Sequence, residues 1–352
     1  VKKILIGSLL LIFCWLTAED LRPYRLINAD IGTAIEEDGK RILKLSGNVH
    51  FFYGETEFFS NTAELYDEQK LTILRGDVEV YEDSLSLYAD KVEYFRLDEK
   101  LELSGSVLAR EDHADSTYRT FAAEQVIYWR GSRELEAEDD VVIYDQREEV
   151  DGTCGNLYYD MQAGYGYLLQ RPQISLQDSL QVAAEKIEYF EEFSKISANF
   201  DVVTQSPDFK VNSDFLLYFQ TEEKAIFLGE PKFDSEFAEA QAVEMQIYFS
   251  EQEIERAELN EECLVKFASP ADAERNNWIK SNEMIFRFLA GEIKVCDAEG
   301  KVSSYYQQDK SDDADFMINR SDSDKLKIAF EQGEIEEIIL RNKIDGVFKF
   351  EQ

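Results

Sequence analysis

Ser60-Asn61-Thr62-Ala63-Glu64-Leu65 and Ala89-Asp90-Lys91-Val92-Glu93-Tyr94 are two copies of one short pattern. A small residue is followed by an acid or amide, a spacer, an apolar residue, a second spacer and another apolar or aromatic residue. The pattern returns at Ala123–Tyr128, Cys154–Tyr159, Ala184–Tyr189 and Ser213–Tyr218, more loosely at Ala242–Ile247 and Ser281–Phe286, and cleanly at Ser323–Ile328. Successive copies begin 29, 34, 31, 30, 29, 29, 39 and 42 residues apart. Near-constant steps of this size mark stacked units, each touching its neighbours, in a chain without internal domain boundaries. The long late steps read as loops inserted around residues 268–278 and 297–322, the second being polar and rich in Ser, Asp and Gln.

Between the marks runs a second element with strict alternation. Leu43, Leu45, Gly47, Val49 and Phe51 share one parity, as do Leu101, Leu103, Gly105, Val107 and Ala109. The middle copy, Leu71, Ile73, Leu74, Gly76, Val78 and Val80, changes parity at Leu74, which predicts a bulge there. Alternation of this kind means strands with one buried face. Polar turns at Tyr53–Thr56, Asp67–Lys70, Leu97–Lys100 and Thr221–Lys224 join them. Strands joined by tight turns are antiparallel. The region 243–259 has some helical periodicity, but it keeps phase with the repeat and is read as strand.

Parity also shifts at the mark itself. Leu85, Leu87 and Ala89 share one parity, and Val92 and Tyr94 the other. A flat strand cannot exchange faces. The small residue therefore marks a bend, and a sheet bent at every strand forms a folded shell around an apolar interior of about nine two-strand units.

The bulk composition fits an exported, acidic protein. The chain has 352 residues, 44% of them hydrophobic, with 73 acidic and 37 basic residues and a formal charge of −36. That surface repels nucleic acid, whose partners need clustered Lys and Arg. Lys2 and Lys3 precede the apolar run Ile4–Leu16, and Thr17-Ala18 follows before Glu19-Asp20. A charged start, a short apolar stretch and a small residue at the cut predict a signal peptide over residues 1–18. The run is shorter than the roughly 20 residues that cross a bilayer. Residues 19–352 then form one continuous solenoid. Cys154, Cys263 and Cys296, an odd number, are read as small buried hydrophobes.

Catalytic chemistry finds no support in the residues. His50 and His113 are the only histidines, too few for a metal cage or a triad, and His50 has the outward parity. With so many acids, paired carboxylates arise by chance. No phosphate loop, dinucleotide fingerprint or zinc spacing is present. The tyrosines around Gly164 and Gly166 (Tyr158, Tyr159, Tyr165 and Tyr167) are read as strand packing. The expectation is a non-enzyme without cofactor or metal.

Ile27-Asn28-Ala29-Asp30, the run from Lys40 to Phe51, Gly76-Asp77-Val78-Glu79-Val80 and Gly105-Ser106-Val107 resemble the OstA/LptA-type family of periplasmic lipopolysaccharide-export proteins. Ser323–Ile328, Gly333–Ile338 and Gly346-Val347 carry the same likeness. The resemblance implies an all-β, antiparallel β-jellyroll solenoid, the β-taco. It also implies a periplasmic carrier or bridge that holds the acyl chains of lipopolysaccharide or a related glycolipid in an apolar groove on the way to the outer membrane. The candidate groove residues are Leu45, Val49, Phe51, Val78, Val80, Leu101, Leu103 and Val107. Open strand edges at the solenoid ends could pair with other export proteins or with a second copy of this chain. The alternative is a structural or adhesive solenoid that contacts proteins without lipid cargo.

Overall fold

The computed structural model describes residues 24–37, 40–176, 180–236, 238–251, 253–269, 272–307, 316–331 and 334–351. The segment read as a signal peptide lies outside them. The described strands join one sheet, and neighbours pair antiparallel throughout. β1 (Tyr24–Asn28) and β2 (Ile31–Glu37) both pair with β3 (Lys40–Tyr53). From there each strand pairs with the next: β4 (Thr56–Tyr66), β5 (Leu71–Glu82), β6 (Leu85–Phe95), β7 (Lys100–Asp112), β8 (Tyr118–Trp129), β9 (Glu134–Asp145) and β10 (Val150–Asp160). Further on, some strands break at the bend. β11 (Tyr165–Leu169) and β12 (Gln173–Leu176) both pair with β10, and β13 (Leu180–Ala183) and β14 (Lys186–Phe190) follow. The jellyroll solenoid expected from the sequence is the observed fold.

The bend is built in two ways on alternate strands. On β6 the inward residues are Leu85, Leu87 and Ala89, then Val92 and Tyr94, so the face changes at Asp90 as the parity requires. On β5 and β7 the bend is a bulge. Gly76-Asp77 (φ 78° and 44°) stands opposite the single residue Asp90, and Gly105-Ser106 (φ 80° and 46°) opposite Glu124. Ten such left-handed pairs lie at bends among the described residues, beginning at 47, 76, 105, 139, 170, 200, 229, 261, 300 and 342. They run beside the sequence marks and explain several of them: Asn61, Asp90, Asp214 and Asn282, the acid or amide of their marks, lie against the glycine of the following left-handed pair. A Cβ on Gly76 would sit 2.6 Å from Asn61, and one on Gly105 would sit 2.5 Å from Asp90.

Gly105→Ala should therefore destabilise the fold by more than about 1 kcal/mol, through left-handed strain and the clash together. Adding Asp90→Ala should restore only the part of the clash made by the carboxyl group, because the Cβ of residue 90 stays 2.9 Å away. Urea unfolding of the two variants separates the contributions, and a single variant as stable as the parent would show that the bend tolerates a side chain.

The structure corrects four readings. Parity does not change at Leu74. Thr72 and Leu74 are fully buried and continuous with Val78 and Val80, and the bulge lies at Gly76-Asp77. Leu71 and Ile73 are half-buried on the other face, the apolar character of which disguised the phase. Leu43 has the inward parity, opposite Leu65, but stays exposed near the first end of the solenoid.

The irregular loop expected over 297–322 is instead the greater part of one strand and the start of another, Glu292–Gln307 and Phe316–Glu331, with 308–315 outside the described residues. Its inner face carries Ser304, Asn319, Ser321 and Ser323 in place of apolar residues, so no hydrophobic alternation shows. Ser304 and Ser321 satisfy each other across the ladder at 2.9 Å. Likewise Glu253–Ser269 and Asp272–Leu289 are long strands, so among the described residues the expected loop around 268–278 is strand, with 270–271 outside them. The region 243–259 is strand, as read. Cys154, Cys263 and Cys296 are free and buried, as expected of small core residues.

Candidate functional site

Each bend divides its strand into two limbs. One row of limbs (including Leu71–Arg75, Lys100–Ser104 and Asn156–Asp160) makes a first wall; the other (including Thr56–Ser60, Val78–Glu82 and Tyr118–Ala123) makes a second. Contacts between them are direct. Phe58 of the second wall stacks on Tyr94 of the first at 5.6 Å between ring centroids, Tyr53 meets Tyr94 edge-on at 5.6 Å, and Phe121 meets Tyr159 at 5.5 Å.

All the groove candidates face this interior. Leu45, Leu101 and Leu103 belong to the first wall, and Val49, Phe51, Val78, Val80 and Val107 to the second. None is more than 4% exposed, and all belong to one contiguous apolar core. The alternation of the sequence thus gathers them on the lining. His50 lies on the outer face, half-buried, stacked on Phe59 at 4.2 Å with Nε2 2.7 Å from Glu57. Tyr158 and Tyr167 stack on that outer face at 5.1 Å, while Tyr159 turns inward.

The mouth of the folded sheet, between its two rows of turns, is closed by charge in the first half of the chain. Sequence alternation did not reveal this. Arg130, at a turn of the first wall, reaches Glu82 at the end of the second through Nε (2.9 Å) and Nη2 (2.8 Å). It also donates to Tyr94 Oη at 2.6 Å and Thr56 Oγ1 at 2.6 Å. Arg119, on the second wall, donates to Asp145 at 2.5 Å and to the hydroxyl of Tyr159 on the first wall. Its Nη1 lies 3.8 Å from Glu191 and 3.9 Å from Glu111. Arg147 bridges the two rows of turns to Glu191 at 2.5 Å.

Burial alone would raise the Glu191 carboxyl, but Arg147 and Arg119 outweigh it and hold it below its usual range. Burial pushes the Glu111 carboxyl up despite Arg119 nearby. The faint signal for this clasp is an arginine directly after an aromatic strand end: Tyr94-Phe95-Arg96 and Tyr128-Trp129-Arg130. Farther along, Phe209 stacks with Phe233 and Phe249, and Phe267 meets Phe286 and Phe330. Arg96, Arg119 and Arg130, the buried arginines among the described residues, all precede this aromatic part.

Beneath Arg119 lies a cavity of about 80 Å³ lined by Phe121, Ile143, Leu157, Leu168, Ile174, Ile187 and Ile196 and roofed by Arg119, Asp145, Tyr159 and Tyr189. No group of three or more metal-ligating side chains occurs among the described residues. No helix among them is long and apolar enough to cross a membrane.

Residues 57–195 match the family model described as LptA/(LptD N-terminal domain) LPS transport protein. The family resemblance read from the sequence holds over that segment. It runs from β4 to β14 and contains every arginine and carboxylate of the clasp. A search of curated proteins finds no match. Among solved structures, the chain is similar to LptH, the LptA homologous periplasmic component of the lipopolysaccharide transport device of Pseudomonas aeruginosa. That similarity has 17% identity and a TM-score of 0.33 and covers 35% of this chain and 94% of LptH.

Proposed function

We propose that this protein is a periplasmic carrier or bridge that shields the acyl chains of lipopolysaccharide, or of a related glycolipid, between its two walls on the way to the outer membrane. The observation that carries the reading is the continuous apolar lining, with the transport-family segment running through it. Burying acyl chains there is favourable by roughly 0.8 kcal/mol per methylene. The work is transport without catalysis or cofactor.

The walls are closed on each other. A cavity of about 80 Å³ is smaller than the roughly 150 Å³ apolar cavity that admits a single benzene. Loading therefore requires the walls to part and the mouth to unlatch. At the two sheet ends, among the described residues, β1 and β2 pair only with β3, and Asp345–Glu351 only with Phe316–Glu331. Ile31 and Val347 stand exposed there, which supports edge pairing with other export proteins or a second copy.

A photo-crosslinking residue at Phe51, Val78 or Val107 should label added lipopolysaccharide, and one at outward Glu79 should not. Folded variants that label at none of the inward positions would remove the lipid reading and leave a solenoid that contacts proteins only.

A further inference from the structure

We propose that Arg119 and Tyr189 form an anchor for the oxyanion head of an amphiphile whose alkyl chain fills the space that opens at the cavity beside them when the walls part. The inference rests on the carrier reading and specifies how a ligand is held.

The cavity is lined mainly by apolar side chains; besides the roof of Arg119, Asp145, Tyr159 and Tyr189, its polar lining residues are Glu148, Tyr158 and Tyr167. Two hydrogen-bond donors of that roof, Arg119 Nη2 and the Tyr189 hydroxyl, are buried without a partner. The Arg119 side chain is only 4% exposed. A guanidinium nitrogen left unpaired in so buried a place is costly, and natural interiors seldom keep one. The Arg119 guanidinium lies over the Tyr189 ring, 5.6 Å from its centroid, which places both donor groups in one neighbourhood.

Donors over an apolar hole match one ligand chemistry: a phosphate or carboxylate oxygen on an alkyl chain. Arginine is suited to it because its planar fork retains free N–H groups while holding a first carboxylate. Here Nε and Nη1 hold Asp145 and Tyr159, and Nη2 remains.

The charges around the roof do not forbid the ligand. Arg119, Arg133 and Arg147 face Glu111, Asp145, Glu148 and Glu191. Burial moves Glu111 toward its neutral form, and its Oε2 has no hydrogen-bond partner. A neutral Glu111 could donate to the same oxyanion. The acceptors that Arg119 holds most loosely, Glu191 and Glu111 at 3.8 and 3.9 Å, are those an entering head would displace.

The test is calorimetric titration of the full chain with decyl phosphate, decanol and inorganic phosphate, the amphiphiles kept below their aggregation thresholds. Decyl phosphate should bind about tenfold more tightly than decanol, the scale of one hydrogen bond to a charged group. Inorganic phosphate alone should not bind. Tyr189→Phe removes a hydroxyl that bonds nothing in the structure, so it should leave thermal unfolding unchanged while lowering decyl phosphate affinity several-fold and sparing decanol. Arg119→Lys, which keeps a cation but loses the fork, should lower decyl phosphate affinity likewise, at some cost in stability because Asp145 and Tyr159 lose their donors.

Equal binding of decyl phosphate and decanol would overturn the anchor and leave the carrier reading standing. So would affinities that neither variant changes. Binding of inorganic phosphate alone would replace the anchor by a simple anion site. Failure of both amphiphiles would remove the anchor together with the carrier reading.

Discussion

Arg119→Met should lower the stability of the β8–β10 region by about 3–5 kcal/mol, the usual cost of removing one partner from a buried ion pair. Asp145, its carboxylate partner, is only 6% exposed, so water cannot replace the lost guanidinium. The hydroxyl of Tyr159 loses its donor in the same step. Asp145 Oδ1 also accepts the backbone N–H groups of Arg147 and Glu148, so its position is fixed and it cannot swing to solvent without loosening the turn. Asparagine keeps that Oδ1 acceptor. The double variant Arg119→Met/Asp145→Asn should therefore recover most of the loss, because the uncompensated charge is gone while the turn remains bonded.

Arg130→Met should cost less, since its partner Glu82 is 21% exposed and partly solvated. A solenoid need not unfold as one unit, so local hydrogen exchange across Tyr118–Asp160 is the measurement to make. A loss below 1 kcal/mol for Arg119→Met would mean that the clasp does not hold the walls together. If it does, the same variant should load lipopolysaccharide faster at the crosslinking positions, because the mouth opens more readily.

The bend was legible because it obeys a rule that alternation cannot escape. Ala89 and Val92 both face inward at an odd spacing, and only a fold in the strand allows that. The glycines at 47, 76 and 105 pointed to the other half of each bend, but the signal lapses later. The corresponding left-handed positions are Asp139-Asp140, Gln170-Arg171, Phe200-Asp201 and Glu261-Glu262. Glycine is needed where a neighbouring side chain covers the bulge, as Asp90 covers Gly105. At these four the pair adopts the left-handed conformation without it. The last long strands were hidden for a different reason: serine at 304, 321 and 323 takes inward positions that apolar residues fill elsewhere.

The lining residues were readable and the clasp was not, for one physical reason. Alternation reports apolar residues on a buried face, and a charged residue in an acidic chain reads as solvated surface. Arg119 and Arg130 break that expectation because their carboxylate and tyrosine partners replace water at the mouth. The interior and its closure are thus made from different chemistry. The first specifies the fold by burial, and the second holds the two walls together at the mouth.

Alkaline pH should unfold the protein over a window set by its buried tyrosines. Burial pushes the Tyr24 and Tyr94 hydroxyls up from 10.0 to about 12. Tyr94 is completely buried, and its hydroxyl accepts from Arg130. Tyr24 meets Thr72 Oγ1 and lies under the Arg96 guanidinium, 5.0 Å from its ring. In the unfolded chain both titrate near pH 10; in the folded one they keep their protons to about pH 12. Between those values the native state binds more protons than the unfolded state, so stability falls as pH rises. It is fully present below pH 10 and is lost progressively toward pH 12.

Two tyrosines shifted this far contribute on the order of 2–3 kcal/mol each. Cys154 and Cys263, raised by burial from 9.0 to about 12, act with the same sign and begin the decline earlier. Urea midpoints followed by circular dichroism across this range should drop monotonically, with a further rise in tyrosinate absorbance from the buried hydroxyls as the strands are lost. Tyr24→Phe should flatten the decline above pH 10, because phenylalanine has no proton to lose and keeps the ring contacts with Phe51 and Tyr53. A parent protein whose urea midpoint holds steady to pH 12 would show that these hydroxyls ionise without leaving the interior, and that the walls part far more easily than their packing indicates.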